Sequence, residues 1–174
     1  MPLLARVKPG LAPARHAAQE LVHRRTKFGH TRFLVGEVTA AFQHHQFLLA
    51  TEAIKERQKE MEGVREAMMT LAAIAKKEQP FDAEVVRSNA VMMAGHLEKA
   101  EKLFPEGSGE GEAQTWAKPE IWSDRAGFDK LMTSTHQAAV DLQSVTEAEA
   151  FGPALGKLGY GCKSCHDLYR LPKN

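Results

Sequence analysis

Cysteine is almost missing from this chain: 174 residues contain two, and both fall within "GYGCKSCHDLYR" near the C-terminus. So few, so close together, cannot staple a disulfide framework. Aromatic residues are scarce at 7%, and period-two alternation is hard to find, which argues against a sheet-based fold. No run approaches the ~18 apolar residues of a membrane-spanning helix. A formal net charge of only +1 excludes a nucleic-acid binder that works by neutralising phosphates. No nucleophile–base pair or paired carboxylates stand out, so the chain does not read as an enzyme. What remains, with 43% hydrophobic and 26% charged residues, is an ordinary globular chain long enough to bury a core.

The small net charge hides a division. Residues 1–50 carry seven Lys/Arg against Glu20 and Glu37, whereas residues 51–174 carry sixteen bases against twenty acids. Five of the eight histidines (His16, His23, His30, His44 and His45) also fall in the first segment. Residues 1–50 therefore read as an atypical basic extension or leader, and residues 51–174 as the folded domain. A secretory leader needs a basic start, about 7–15 apolar residues and a small-residue cleavage site. "TRFLVGEVTAAFQHHQFLLA" comes closest, but Glu37 and the Gln/His cluster interrupt it.

From Thr51 onward the spacing is helical. Ile54, Met61, Val64, Met68, Leu71 and Ile74 recur at three- and four-residue intervals, with Thr51 as the expected N-cap and Pro80 closing the segment. A second helix is expected after Asp82, reaching about Phe104, with Val85, Val86, Met92, Met93, Leu97 and Leu103 on its apolar side. A third opens at Ser123 and carries Phe128, Leu131, Met132, Ala139, Leu142 and Val145. In the fourth, Thr146 and Glu149 have capping-box spacing and the pattern runs to Tyr169. Pro153 interrupts it, and an interior proline costs ~3 kcal/mol, so a restart at Gly152–Pro153 is expected. The methionine pairs at 68–69 and 92–93 read as core. Four such helices predict an all-α, antiparallel four-helix bundle. The connection "PEGSGEGEAQTWAKPEIW" is too long for a simple hairpin, and Trp122 within it reads as a structural anchor.

On a helix, Cys162, Cys165 and His166 share one face. That arrangement suits covalent haem: two thiols form thioethers with vinyl groups, and the adjacent imidazole ligates iron. A disulfide here would close only a tiny loop, zinc would want a second ligand pair, and a thioredoxin-type motif belongs at a helix N-terminus. His96 and His136 read as surface or satisfied helical histidines. The pair His44–His45 lacks a further ligand at helical spacing.

The stretches "CKSCHDLYR", "AIKERQKEM", "FPEGSGEG" and "KPEIWSDRAGF", in this order over about residues 51–170, resemble the class II c-type cytochromes: cytochrome c prime and its low-spin relatives. The resemblance implies one covalently bound haem c, with Cys162 and Cys165 as anchors and His166 as the proximal iron ligand. It implies that Arg170 flanks the proximal face and that Arg57 and Gln58 reach the haem propionates, against the plainer reading of Arg57 as a solvated helix charge. Met61 corresponds to the position facing the sixth coordination site. A bound thioether gives a six-coordinate carrier of single electrons, whereas a sulfur held away leaves five-coordinate iron that takes NO or CO. The first of these is the expected one. The resemblance further implies a periplasmic location, unnamed redox partner proteins and a homodimer through the first two helices. A haem-free helical interaction module is the remaining, different-class alternative.

Overall fold

The computed structural model describes the backbone of residues 31–172 and the side chains of residues 43–172. The expected basic extension therefore lies, through residue 30, outside the described residues. The chain divides into two compact units, Met1–Gln43 and His44–Asn174, and the second contains every candidate site residue.

The described helices are α1 (Thr31–Ala75), α2 (Ala83–Glu101), the single turn α3 (Glu120–Ser123), α4 (Arg125–Leu142) and α5 (Ala148–Tyr169). No strand occurs among the described residues; one isolated bridge joins Ala117 to Arg170. The four long helices share a core in which Leu71 and Ile74 of α1, Val86 and Met93 of α2, Phe128 and Leu142 of α4, and Phe151 and Leu158 of α5 are all at most 5% exposed. Short hairpins join α1 to α2 and α4 to α5, so the fold is the expected all-α antiparallel four-helix bundle.

The helix ends show where local pattern and structure part. Thr51 is not an N-cap: α1 runs through it, and its hydroxyl donates to the Phe47 carbonyl one turn back and accepts from the Glu112 N–H. Nothing between Glu37 and Thr51 breaks a helix, so a capping-competent side chain is used inside one. At the other end Lys77 takes the left-handed conformation (φ 63°). Its N–H donates to Ile74 and that of Glu78 to Ala73, the bond pair of a Schellman stop. Asp82 caps α2 as expected, its carboxylate accepting from the Glu84 and Val85 N–H groups. The third long helix opens at Arg125 rather than Ser123, because α3 intervenes and Asp124 caps α4.

The Thr146–Glu149 capping box does not form; Glu147 is the cap residue of α5, without a side-chain bond. Nor does α5 restart at Pro153, which sits inside one continuous helix. In the second turn a proline forfeits a single backbone bond, and Gly152 before it has no Cβ to clash with the ring. The methionine pairs also split. Met93 is fully buried and Met68 packs on the core, but Met69 and Met92 are 58% and 50% exposed. Neighbours on a helix point about 100° apart, so a pair cannot share the core face.

Candidate cofactor-attachment site

The last helix places the two thiols. Phe151, Leu158 and Tyr169 are its buried residues, and Cys162 and Cys165 lie half-buried against the same apolar cluster. Both are free thiols. Burial raises the Cys162 thiol and pushes Cys165 up to about 11, the neighbouring Cys162 adding to the second shift. Both are therefore protonated at neutral pH, and a thiol rather than a thiolate is slow to oxidise. His166, the next residue, is exposed, and its carbonyl accepts the Arg170 N–H.

Just before the first thiol α5 comes close to α4. A Cβ on Gly161 would stand 2.6 Å from Oγ1 of Thr135, so only glycine fits without displacing that side chain. Thr135 is 4% exposed, and its Oγ1 has no hydrogen-bond partner among the described residues.

On α1, Met61 is half-buried and packs against the same cluster as the two cysteines. Arg57, one turn earlier, is not the solvated charge of the plainer reading: it is 3% exposed. Its guanidinium donates to the Ser108 carbonyl (2.9 Å) and hydroxyl (3.3 Å) and to Thr115 Oγ1 (2.8 Å). It also stacks over Phe104 and Trp122, 5.0 and 5.9 Å from the ring centroids. These partners are neutral, and burial alone pulls the guanidinium down to about 10, so it is still a cation at neutral pH. Gln58 donates to the Gln114 carbonyl (2.6 Å). Arg57 and Gln58 thus both fasten the long connection, and Trp122 anchors it through an indole N–H bond to Pro105 (2.8 Å). The side chain of Arg170 is exposed, while its backbone bridges to Ala117.

Half-buried thiols on an apolar cluster, an unpartnered buried hydroxyl beside the motif and a buried cation with neutral partners fit a covalently held porphyrin carrying carboxylates. Two contacts went unseen in the sequence. Glu60 of α1, 8% exposed, meets Nδ1 of His96 on α2 at 2.7 Å, with the imidazole lying over Gly63, where a Cβ would come within 2.3 Å. The His96 bond holds the Glu60 carboxyl below its usual range, with Lys99 assisting against desolvation. The other joins Asp124 to Tyr169 (2.7 Å). The only sequence signal for either was helical phase: Glu60 and His96 fall near core positions, and Tyr169 is one turn past Cys165.

A helical bundle whose last helix carries C-x-x-C-H defines a class, the haem c proteins of the bundle type. Comparison with known proteins narrows it. Residues 52–170 match the model of the cytochrome c' family, and the chain belongs to that family. It is 36% identical over 125 residues to cytochrome c' of Rhodopseudomonas palustris, spanning 71% of this chain and 85% of that protein. It is 33% identical over 140 residues to cytochrome c-554 of Cereibacter sphaeroides, spanning 71% and 90%. Among solved structures, the nitric oxide complex of a leucine-to-alanine mutant of cytochrome c prime from Alcaligenes xylosoxidans superposes with a TM-score of 0.64 at 28% identity, over 71% of this chain and 97% of that one. The chain is a c-type cytochrome that binds haem.

Proposed function

We propose that this chain is a monohaem carrier of single electrons, with Cys162 and Cys165 as thioether anchors, His166 as proximal ligand and Met61 as sixth ligand. The observation that carries the reading is the packing of Met61, Cys162 and Cys165 against one apolar cluster, which puts a thioether donor and both anchors at the margin of the same core. When bound, the group supplies a one-electron iron couple, and Met/His ligation raises its potential. The protein's share is to bind, orient and exclude water. Cys162 and Cys165 would hold the group through two thioethers, and burial keeps each a protonated thiol at neutral pH. Arg57 supplies a desolvated cation for a propionate, and charge-assisted pairing there is stronger than in water; Gln58 and Arg170 are assigned flanking roles.

A second reading, five-coordinate iron that takes NO or CO, is favoured by the likeness to a cytochrome c prime solved as its nitric oxide complex. The optical spectrum of the purified holoprotein, oxidised and dithionite-reduced, with and without CO, separates the two. A sharp reduced α band with little CO response is expected. A broad high-spin spectrum that shifts on CO would replace electron transfer by gas binding.

A periplasmic location belongs to the same proposal, since haem attachment of this type is expected outside the cytoplasm. Mass spectrometry of the native N-terminus tests it: a mature chain beginning near residue 50 supports export, and one retaining Arg6 to Arg32 refutes cleavage. A homodimer through α1 and α2 is supported by exposed Met69, Val91 and Met92. Sedimentation of the holoprotein as a monomer at micromolar concentration would remove it.

A further inference from the structure

The proximal histidine stands where a helix is least able to hold itself. His166 lies in the last turn of α5, which ends at Tyr169, and the final carbonyls of any helix lack partners within it. From residue 166 to residue 171 only Tyr169 is buried. An iron ligand on such a turn needs outside support, because the orientation of an imidazole is set by what surrounds it.

That support is built from the segment around α3. Tyr169 donates its hydroxyl to Oδ2 of Asp124 (2.7 Å), while Oδ1 of the same carboxylate accepts the Gly127 N–H (3.3 Å) and caps α4. One carboxylate thus ties the first turn of α4 to the last turn of α5, and the N-terminal end of a helix favours its negative charge. Gly127 is required by this closeness: a Cβ there would fall 2.3 Å from Asp124 Oδ2 and 2.6 Å from the Tyr169 oxygen. The Tyr169 ring packs edge-on against Phe128 at 5.4 Å. The backbone closes the clasp. Lys118 N–H donates to the Tyr169 carbonyl (3.0 Å), Leu171 N–H to that of Trp116 (2.7 Å), and Lys118 Nζ to that of Asp167 (3.0 Å).

We propose that Asp124 and Tyr169 are positioning residues for the His166 imidazole, fixing the last turn of α5 so that the ring meets iron in one orientation. This rests on the reading of His166 as proximal ligand. Tyr169 lies three residues beyond His166 in the same last turn, so loosening the hydroxyl–carboxylate bond would let that turn, and the imidazole it carries, shift while Cys162 and Cys165 stay in place.

The test compares the holoprotein with Tyr169→Phe, Asp124→Asn and the double variant, each checked for helicity and covalent haem. Two quantities are read by NMR: amide exchange at residues 166–171, and the iron-shifted proton resonances of the proximal imidazole. Tyr169→Phe keeps the ring packing and removes one bond, so exchange should become roughly five- to tenfold faster across that turn and the imidazole resonances should move. Asp124→Asn should do the same more weakly, and the double variant no more than Tyr169→Phe. If Tyr169→Phe does not fold, Asp124→Asn, which preserves shape, decides by the same two readouts. Exchange within about twofold of the parent, or faster exchange with unmoved imidazole resonances, overturns the positioning role. A parent without imidazole resonances at iron overturns the assignment of His166 and the positioning role with it, and shows itself before any substitution is made.

Discussion

On α5 the expected attachment residues Cys162, Cys165 and His166 fall within one turn and a half of a single helix, whereas on α1 Arg57 takes its geometry from Ser108, 51 residues further along the chain. The α5 arrangement follows from helical geometry alone, since positions three and four apart share a face. The α1 arrangement requires that a long Gly- and Pro-rich connection return and cover a cation. One side is a local motif, and the other is a tertiary contact that happens to use a helical residue. The two sides should therefore fail differently when altered.

The largest effect is expected on the α5 side. Cys162→Ser with Cys165→Ser should abolish covalent haem entirely while the helices remain, read by denaturing mass spectrometry and far-ultraviolet circular dichroism. Retained covalent haem would overturn the attachment assignment, and loss of helicity would show that the motif is also a folding element.

On the α1 side the effect should be energetic rather than all-or-none. Arg57→Met leaves the buried Ser108 carbonyl without its donor, while Thr115 Oγ1 keeps the Ala117 N–H and Ser108 Oγ its bond to Pro105, a loss of about 1–3 kcal/mol in urea unfolding. The exposed neighbour Lys55, paired with Glu52, should tolerate alanine with a change of less than about 0.5 kcal/mol. Equal effects at the two positions would mean that the connection does not depend on Arg57.

The Glu60–His96 contact sharpens the comparison through pH. The Glu60 carboxyl is depressed below its ordinary value of 4.5, first by the His96 bond. A depressed carboxylate contributes stability that is present above its unfolded pKa and is lost as pH falls through the folded one. The parent should therefore lose stability below about pH 4.5, and Glu60→Gln should flatten that part of the profile measured by thermal melts. An unchanged profile would assign the acid limb to other carboxylates.

The smallest effect is expected back on α5. Lys163 and Asp167 pair on the solvent side of the attachment helix, with side chains 73% and 58% exposed, so Lys163→Ala should shift stability by less than about 0.5 kcal/mol and leave the haem spectrum untouched. A spectral change would extend the site to the outer face of α5.

The legibility of the molecule follows the same line. Ile54, Leu71, Val86, Met93, Phe128 and Leu142 were expected in the core from spacing, and all are fully buried or nearly so, because three- and four-residue recurrence is a direct record of one helix face. Asp82 was legible as a cap for a similar reason: it bonds within three residues of itself. Thr51 and Thr146 carry the same capping chemistry, yet neither caps. Thr51 finds a carbonyl inside α1 and an amide at Glu112, and past Thr146 the cap falls one residue later, on Glu147. Such a hydroxyl has several equivalent partners, and the surrounding chain selects among them.

The sequence by itself determined the inward faces of the four long helices and the C-x-x-C-H arrangement, since each depends on separations of four residues or fewer along one chain. Only the tertiary structure decided that Arg57 is buried, that Glu60 meets His96 across Gly63, and that Asp124 holds Tyr169 beneath the turn bearing His166. Those contacts join residues 36 to 51 positions apart. Hydrogen bonds between side chains fix geometry only once the core has brought them within about 3 Å, and no period in the sequence records that approach.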